Sequence, residues 1–562
     1  GTEPGPRADP LRRLPRHRAR ARPALHQSLL PAQADLAAGL PERPALSAGV
    51  PDVTAQSVLT QLAVSDGEVA PRVWDAIIRS RALVTDAVAE RARVSRSSSD
   101  PLMRQQAAAL ADARTALARA VLRGRGATAA DDYSREILHL RERAEEAEFA
   151  LAERSASFRL ARAESSTGFA EMARHLPPRS AVIGYVRTDS RYVAFVTRGS
   201  GAVAVDLGVA SVIERLVRNW RSEITREMNA GGRSATVNEQ RATTSGQALR
   251  RAVWDRLRTH LAGTHRVFIV PDGALSFVNV AALPDASGAY LVETGPLIHL
   301  LSTERDLLIE SSRTTGIGLL AVGNPAFDAG FARASARLRG AETECDDMSV
   351  TRFAPLPGAA AEVRGVVEAW RSAGRGPSES LTGTAATKAA FAAKAEGKGV
   401  LHLATHGFFV PKTCKRDVVI EQNPLLRAGI ALAGANDREA RDGGILTAAE
   451  IAGLGLDGTA WVVLSGCDTG TGDVLAGEGV LGLRRAFHTA GVRTVVASLW
   501  PVEDEETRHW MVALYAAHFQ QGRDTAEAVR AAQLARIRAR RHAGASTHPF
   551  YWAAFLAVGD WR

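Results

Sequence analysis

Val400-Leu401-His402-Leu403-Ala404-Thr405-His406-Gly407 is an apolar run ending in a histidine beside a glycine. Ala460-Trp461-Val462-Val463-Leu464-Ser465-Gly466-Cys467-Asp468-Thr469-Gly470 is a second such run, ending in a cysteine. Neither alternates apolar with polar residues, so both predict short strands buried on both faces, as in a parallel sheet. In such a sheet, chemistry gathers beyond the carboxyl ends of the strands. A histidine and a cysteine at the ends of neighbouring strands are what a thiol nucleophile and its base require.

Working outward, strands and helices alternate on both sides of these runs. Gly318–Val322, Val400–Thr405, Trp461–Leu464 and Thr494–Leu499 read as strands. Helices are predicted near Ala360–Arg371, Thr387–Ala395, Gly479–Ala490, Asp504–Gln520 and Thr525–Arg541. Such alternation predicts a doubly wound α/β sandwich with a mostly parallel sheet. Further upstream, Ser180–Val186, Arg191–Thr197 and Ala202–Leu207 read as a hairpin and a third strand. Two helices, Ser211–Met228 and Glu239–Leu261, lead to a strand at Arg266–Val270 that is turned by Pro271-Asp272-Gly273. Between Thr54 and Arg174 the apolar residues recur at three- and four-residue steps, which predicts antiparallel helical hairpins. Four regions follow: a basic, disordered tail over 1–50, a helical region over 51–176, a smaller α/β half over 177–312, and a larger α/β half over 313–562.

The 562 residues are 46% hydrophobic and 23% charged, ordinary for a globular protein and too many for one core. A net charge of +9 invites a nucleic-acid reading, but residues 1–22 hold seven arginines against Glu3 and Asp9. That tail supplies more than half of the excess, and no later stretch interleaves bases with aromatics, so direct nucleic-acid binding is not expected. The three cysteines, Cys345, Cys414 and Cys467, exclude a disulfide scaffold and fit a reducing cytoplasm. No apolar run is long enough to cross a membrane, and the N-terminus lacks the apolar core of a signal peptide. The chain opens on Gly1 rather than Met, as a processed or truncated chain would.

Taken in order, the motifs carry a family resemblance. They run from Pro271-Asp272-Gly273-Ala274-Leu275, Gly323-Asn324-Pro325 and Leu356-Pro357-Gly358-Ala359 with Glu362, through Leu401–His406-Gly407. Asn423-Pro424-Leu425-Leu426, Gly443–Ala448, Leu464–Gly470 and Gly477-Glu478-Gly479 come next, and Ser498–Val502 and His548–Phe555 close the series. This order resembles the CHAT family, caspase-like cysteine peptidases related to separase and the caspases. The resemblance covers about residues 180–562. It implies a caspase-like catalytic half preceded by a pseudo-caspase-like half, while the helical region resembles the end of a tetratricopeptide-type array. Gly466 departs from relatives that carry Ala there.

On this reading Cys467 is the nucleophile and His406 the base. The resemblance implies a dyad in which the histidine is held by backbone rather than by an aspartate. The backbone N–H groups of Gly407 and Cys467 are the expected oxyanion donors. His402, four residues before His406, shares its face of the strand and is expected as a packed, hydrogen-bonded support. A zinc pair is the competing reading of the two histidines, and no third ligand arrives at metal spacing. The resemblance to separase-like relatives places Asp504 where an Asp meets a basic P1 side chain; a role at the helix N-terminus competes. Ser465 is a candidate pocket wall, and Asp468 supports the loop or touches substrate. Gly470-x-Gly472 and Gly477-x-Gly479 lack the Lys-Ser/Thr of a phosphate-binding loop, so a mobile loop is expected there, without a cofactor. The polar stretch Asn436–Gly444 and this loop suggest a site left unassembled until an activating protein or small-molecule signal arrives through the helical region.

The expected function is endopeptidase action on specific protein targets. The resemblance places such enzymes in bacterial defence and programmed cell death. A catalytically idle scaffold binding partners through its helices is the alternative, and ester or acyl-transfer chemistry by the same pair is a third reading.

Overall fold

The computed structural model describes residues 53–123, 128–160, 167–230, 235–309, 316–329, 352–409, 424–437, 444–466, 473–475, 479–501 and 503–562. The tail over 1–50 lies outside them, as do Cys345, Cys414, Cys467 and Asp468.

One eleven-stranded sheet runs through both α/β regions, in the order β3-β2-β1-β4-β5-β16-β15-β12-β8-β6-β7. Its first block contains β1 (Ser180–Arg187), β2 (Arg191–Thr197), β3 (Ala202–Val209), β4 (Arg266–Val270) and β5 (Leu297–Leu300). Its second contains β6 (Leu319–Pro325), β7 (Ser378–Gly383), β8 (Val400–Ala404), β12 (Trp461–Leu464) and β15 (Thr494–Ser498). The last strand, β16 (Phe555–Gly559), is antiparallel to β15 and parallel to β5, and so joins the blocks. Within the second block all pairings are parallel, and β12 lies directly beside β8 with Leu464 opposite Leu403. The two decisive runs therefore leave the sheet at the same edge, from adjacent strands.

Side chains of β8 alternate between the two faces. Val400 and Ala404 enter the apolar layer that contains α9 (Pro357–Ser372), α13 (Asp504–Tyr515) and α14 (Thr525–His542). Leu401 and Leu403 point to the opposite layer. That second layer is built partly from the helical region, because Leu117 of α4 (Pro101–Arg123) and Ile137 of α5 (Ala130–Leu160) join the same cluster. Three shorter helices, α1 (Val53–Ser65), α2 (Ala70–Ser80) and α3 (Leu83–Ser97), precede them. Trp74 of α2 is fully buried against Phe169 and Phe195, and its Nε1 donates to Glu304 at 3.0 Å. Arg81, just past α2, pairs with the same Glu304 at 2.6 Å and donates to the Tyr185 carbonyl of β1 at 2.7 Å, which ties the end of α2 to the sheet.

Two expectations need correction. The helix expected over Gly479–Ala490 spans only Leu483–Thr489 (α12), because Gly479–Leu481 (β14) pairs antiparallel with Asp473–Leu475 (β13). This hairpin also occupies part of the stretch read as a mobile glycine loop. Three short strands, β9 (Gly407–Phe409), β10 (Ala428–Ala431) and β11 (Ile445–Thr447), form a separate small sheet beside the histidine.

Candidate active site

His406 sits between β8 and β9, two residues past the end of the parallel strand. Thr405, which is 1% exposed, donates its hydroxyl to the Ala431 carbonyl, and the Ala431 N–H donates to the His406 carbonyl at 2.9 Å. The turn out of the sheet is thus tied on both sides. The imidazole packs between Phe327 and Phe353, with ring centroids 5.2 and 5.6 Å away. Its Nε2 lies 2.9 Å from the Ala354 carbonyl. A carbonyl only accepts, so Nε2 carries the proton and Nδ1 keeps its lone pair. Burial lowers the His406 pKa, while the Ala354 carbonyl and the charge of Asp504 pull it upward. Lowered below its ordinary value, the ring is neutral at pH 7, the form a base needs.

The acceptor on Ala354 is itself held, by residues to which the sequence reading gave no such role. Asn436 accepts the Phe353 N–H with Oδ1 at 2.9 Å and donates Nδ2 to the Phe353 carbonyl at 3.0 Å. On the other side of Ala354, the Leu356 N–H donates to Asn324 Oδ1 at 3.1 Å. Asn324 takes φ +45°, a left-handed conformation that asparagine tolerates better than most residues. The only sequence signal for this clamp was Asn324 inside Gly323-Asn324-Pro325; Asn436 looked like one polar residue in a loop.

Gly407 pairs with Ile430 in the β9–β10 ladder. The Ala431-to-His406 bond makes the preceding pair a hydrogen-bonded one, so by alternation the Gly407 N–H points away from β10. It takes no part in that ladder. On the neighbouring strand, the Ser465 N–H extends the parallel ladder to Leu403 at 2.9 Å. Ser465 is 9% exposed, and its hydroxyl has no hydrogen-bond partner among the described residues. Gly466 is fixed from β15, where the fully buried Ser498 donates its hydroxyl to the Gly466 carbonyl. The backbone is thus pinned up to the residue before Cys467. Cys467 and Asp468 themselves fall outside the described residues.

His402 is fully buried on the inner face, away from this edge. Its Nε2 lies 2.9 Å from Glu362 Oε1, and its Nδ1 lies 3.2 Å from the Tyr515 hydroxyl. Both ring nitrogens are thereby engaged across α9 and α13. This chain packs the two helices onto β8 beneath His406. Glu362 appeared in the sequence only as a motif position.

Asp504 opens α13, with Glu503 at the N-cap position, and is exposed. It packs against Gly358 at the start of α9: a Cβ on that glycine would fall 2.2 Å from Asp504 Oδ2. The glycine in Leu356-Pro357-Gly358-Ala359 thus has a steric reason. The carboxylate is near enough to act electrostatically on His406. The structure brings Asp504 and His406 to one edge, and places Ser465 and Gly407 at the ends of the adjoining strands. His402 it keeps below.

Residues 243–560, more than half of the chain, match the model of the CHAT domain. Human tetratricopeptide repeat protein 28 is 32% identical over 119 residues, which is 21% of this chain and 4% of that protein. The chain therefore spans only a small fraction of this curated relative. Among solved structures, two of the separase–securin complex from Saccharomyces cerevisiae align over 90% of this chain and 37% of theirs, at 8% identity and TM-scores of 0.45 and 0.43. The Arg-specific cysteine proteinase gingipain R aligns over 57% of this chain and 67% of its own, at 8% identity and a TM-score of 0.34.

Proposed function

Because this chain belongs to the CHAT-domain family, we propose that it is a cysteine endopeptidase in which His406 and Cys467 form the catalytic dyad. The observation that carries this reading is the fixed tautomer of His406, with Nε2 donating to Ala354 and a basic Nδ1 at the end of the strand beside the one leading to Cys467. Nδ1 takes the Cys467 thiol proton as the sulfur attacks the scissile carbonyl. The new oxyanion is received by the Gly407 and Cys467 N–H groups. The proton then passes to the leaving amine, and water cleaves the thioester with the same nitrogen as base. Asp504 and Ser465 line the approach of the P1 side chain, with Asp504 favouring Arg or Lys. Asp468 shapes the loop or meets substrate, and His402 holds the strand from below.

The enzyme is largely latent until a partner or small-molecule signal acts through the helical region. Support for this route is that α3 packs against α12, which follows the β13–β14 hairpin on the C-terminal side of the nucleophile. A setting in bacterial defence or programmed cell death rests on the family resemblance. The test is labelling by a peptidyl acyloxymethyl ketone, with the modified residue mapped by mass spectrometry. Labelling at Cys467 that is lost in His406→Ala supports the dyad. Labelling indifferent to His406 overturns it, and an unreactive Cys467 favours the idle scaffold.

A further inference from the structure

β9 is the edge of the small sheet, whose order is β11-β10-β9, and it begins at the residue after His406. The Ala431 N–H donates to the His406 carbonyl, so in this antiparallel ladder the next hydrogen-bonded pair is Phe408 with Gly429. Gly407 and Phe409 therefore turn both N–H and C=O to the side away from β10. None of these four groups has a hydrogen-bond partner among the described residues. An edge with unpaired main-chain groups is a template for one more strand.

The side chains of β9 hold that edge in place. Phe408 lies across Gly429 of β10: a Cβ on that glycine would fall 2.7 Å from Phe408 Cζ. The Phe408 ring also meets Phe353, the residue that Asn436 clamps, at 6.1 Å between centroids. Phe409 alternates to the opposite face, where the guanidinium of Arg427, a residue 2% exposed, sits 5.2 Å from its ring centroid. Both faces of β9 are thus packed, and what it offers is its edge. Main-chain donors and acceptors fixed in advance bind an extended peptide with little ordering cost.

We propose that the edge of β9 binds the leaving-group side of a peptide substrate, residues P1′ to P4′, by main-chain pairing in parallel register. The inference rests on the peptidase reading of His406 and Cys467, which supplies both the occupant and its direction. His406 protonates the leaving amine, so the chain beyond the scissile bond departs past His406, where β9 begins. The register follows from the oxyanion contact. With the Gly407 N–H on the P1 oxygen, a parallel ladder brings the P2′ N–H to the Gly407 carbonyl and the P2′ carbonyl to the Phe409 N–H. P1′ and P3′ turn their main-chain groups away. Antiparallel pairing would instead carry P3, on the acyl side, to Phe409. Proline at P2′ lacks the N–H and is disfavoured by the same geometry.

The test uses peptides of one sequence: a parent spanning P4 to P4′, one ending at P1′, and three N-methylated singly at P2′, P3′ or P3. Turnover by the wild type and binding to Cys467→Ala are both measured. Extension from P1′ to P4′ should raise kcat/KM by about ten-fold or more, as two added hydrogen bonds imply. Methylation at P2′ should lower kcat/KM and affinity by about five-fold, the loss of one such bond, and methylation at P3′ should do neither. Phe409→Pro removes an outward N–H and no ladder bond. It should shrink the ratio of kcat/KM between the parent and the P1′-ended peptide, a ratio that a loss of stability would not move. Cleavage indifferent to P2′ methylation, or a loss at P3 in its place, would overturn the pairing and leave the dyad standing. The P2′ pattern in binding to Cys467→Ala without turnover by the wild type would keep the pairing and overturn the peptidase reading. Neither binding nor turnover would overturn both.

Discussion

Asn436 grips Phe353 with both ends of its carboxamide, at 2.9 and 3.0 Å, and so fixes the carbonyl of Ala354 that accepts the His406 proton. Asn436→Ala should free that carbonyl and let the imidazole turn. Misplacing a catalytic group by about 1 Å costs on the order of 10²-fold, so kcat should fall by ten- to a hundred-fold with little change in KM. Asn436→Asp keeps one acceptor and should recover part of the loss. A fall in melting temperature without the loss in kcat would assign Asn436 a purely structural role.

Ser498 acts on the other strand end, through the Gly466 carbonyl. Removing one hydrogen bond of about 1 kcal/mol corresponds to about a five-fold change in rate. Ser498→Ala should therefore lower kcat modestly and leave the preference among substrates untouched. Steady-state kinetics on two peptides with different P1 residues decides it.

Asp504 is exposed in the free protein, so the large penalty of an unpaired buried charge does not apply to it. A charge-assisted contact to a P1 guanidinium is worth about 1.5–3 kcal/mol. Asp504→Asn should then cut turnover of P1-Arg peptides by about ten-fold or more and spare P1-Leu peptides. It also removes the charge that raises the His406 pKa, so the acidic limb of kcat/KM should move to lower pH. Equal losses on both peptides with an unmoved limb would exclude Asp504 from pocket and base alike.

Acid stability should depend on the buried histidines. Burial lowers His299 to about 4, and its ring bonds to the Gly559 carbonyl at 2.9 Å. Unfolded, it takes up a proton near 6.5; folded, only near 4. The unfolded state therefore binds more protons in that window, and stability falls as pH drops through it. His299→Gln keeps a donor but no titration. Between about pH 6 and 4.5 its unfolding free energy should fall by about 1.4 kcal/mol per pH unit less than that of the wild type. Parallel urea-denaturation curves across this range would contradict the account.

The central parallel strands were legible because burial on both faces leaves uninterrupted apolar runs such as Val400–Ala404 and Trp461–Leu464, whereas the parallel strands Leu297–Leu300 and the half-exposed Ser378–Gly383 were missed. The strand Phe555–Gly559 escaped notice, although it joins the two blocks of the sheet, because its apolar run follows the aromatic cluster Phe550–Trp552 without a turn signal. The short sheet of β9, β10 and β11 was invisible for a different reason: strands of three or four residues carry too little periodicity. The proposed pair announced itself by position, His406 and Cys467 at the ends of their runs. Their supports did not, because Asn436 and Ser498 act by tertiary contacts across 83 and 32 residues of sequence.

The central claim is that His406 and Cys467 act as one catalytic pair, and mutant turnover tests it most directly. Purified wild type, Cys467→Ala and His406→Ala should be incubated at high enzyme concentration with a peptide library, and cleavage products counted by mass spectrometry. Basal turnover by the wild type is expected even from a latent enzyme. Either substitution should reduce it by at least about 10³-fold, with circular dichroism and melting temperature preserved. Cleavage at the wild-type rate by either folded variant would contradict the assignment of the pair.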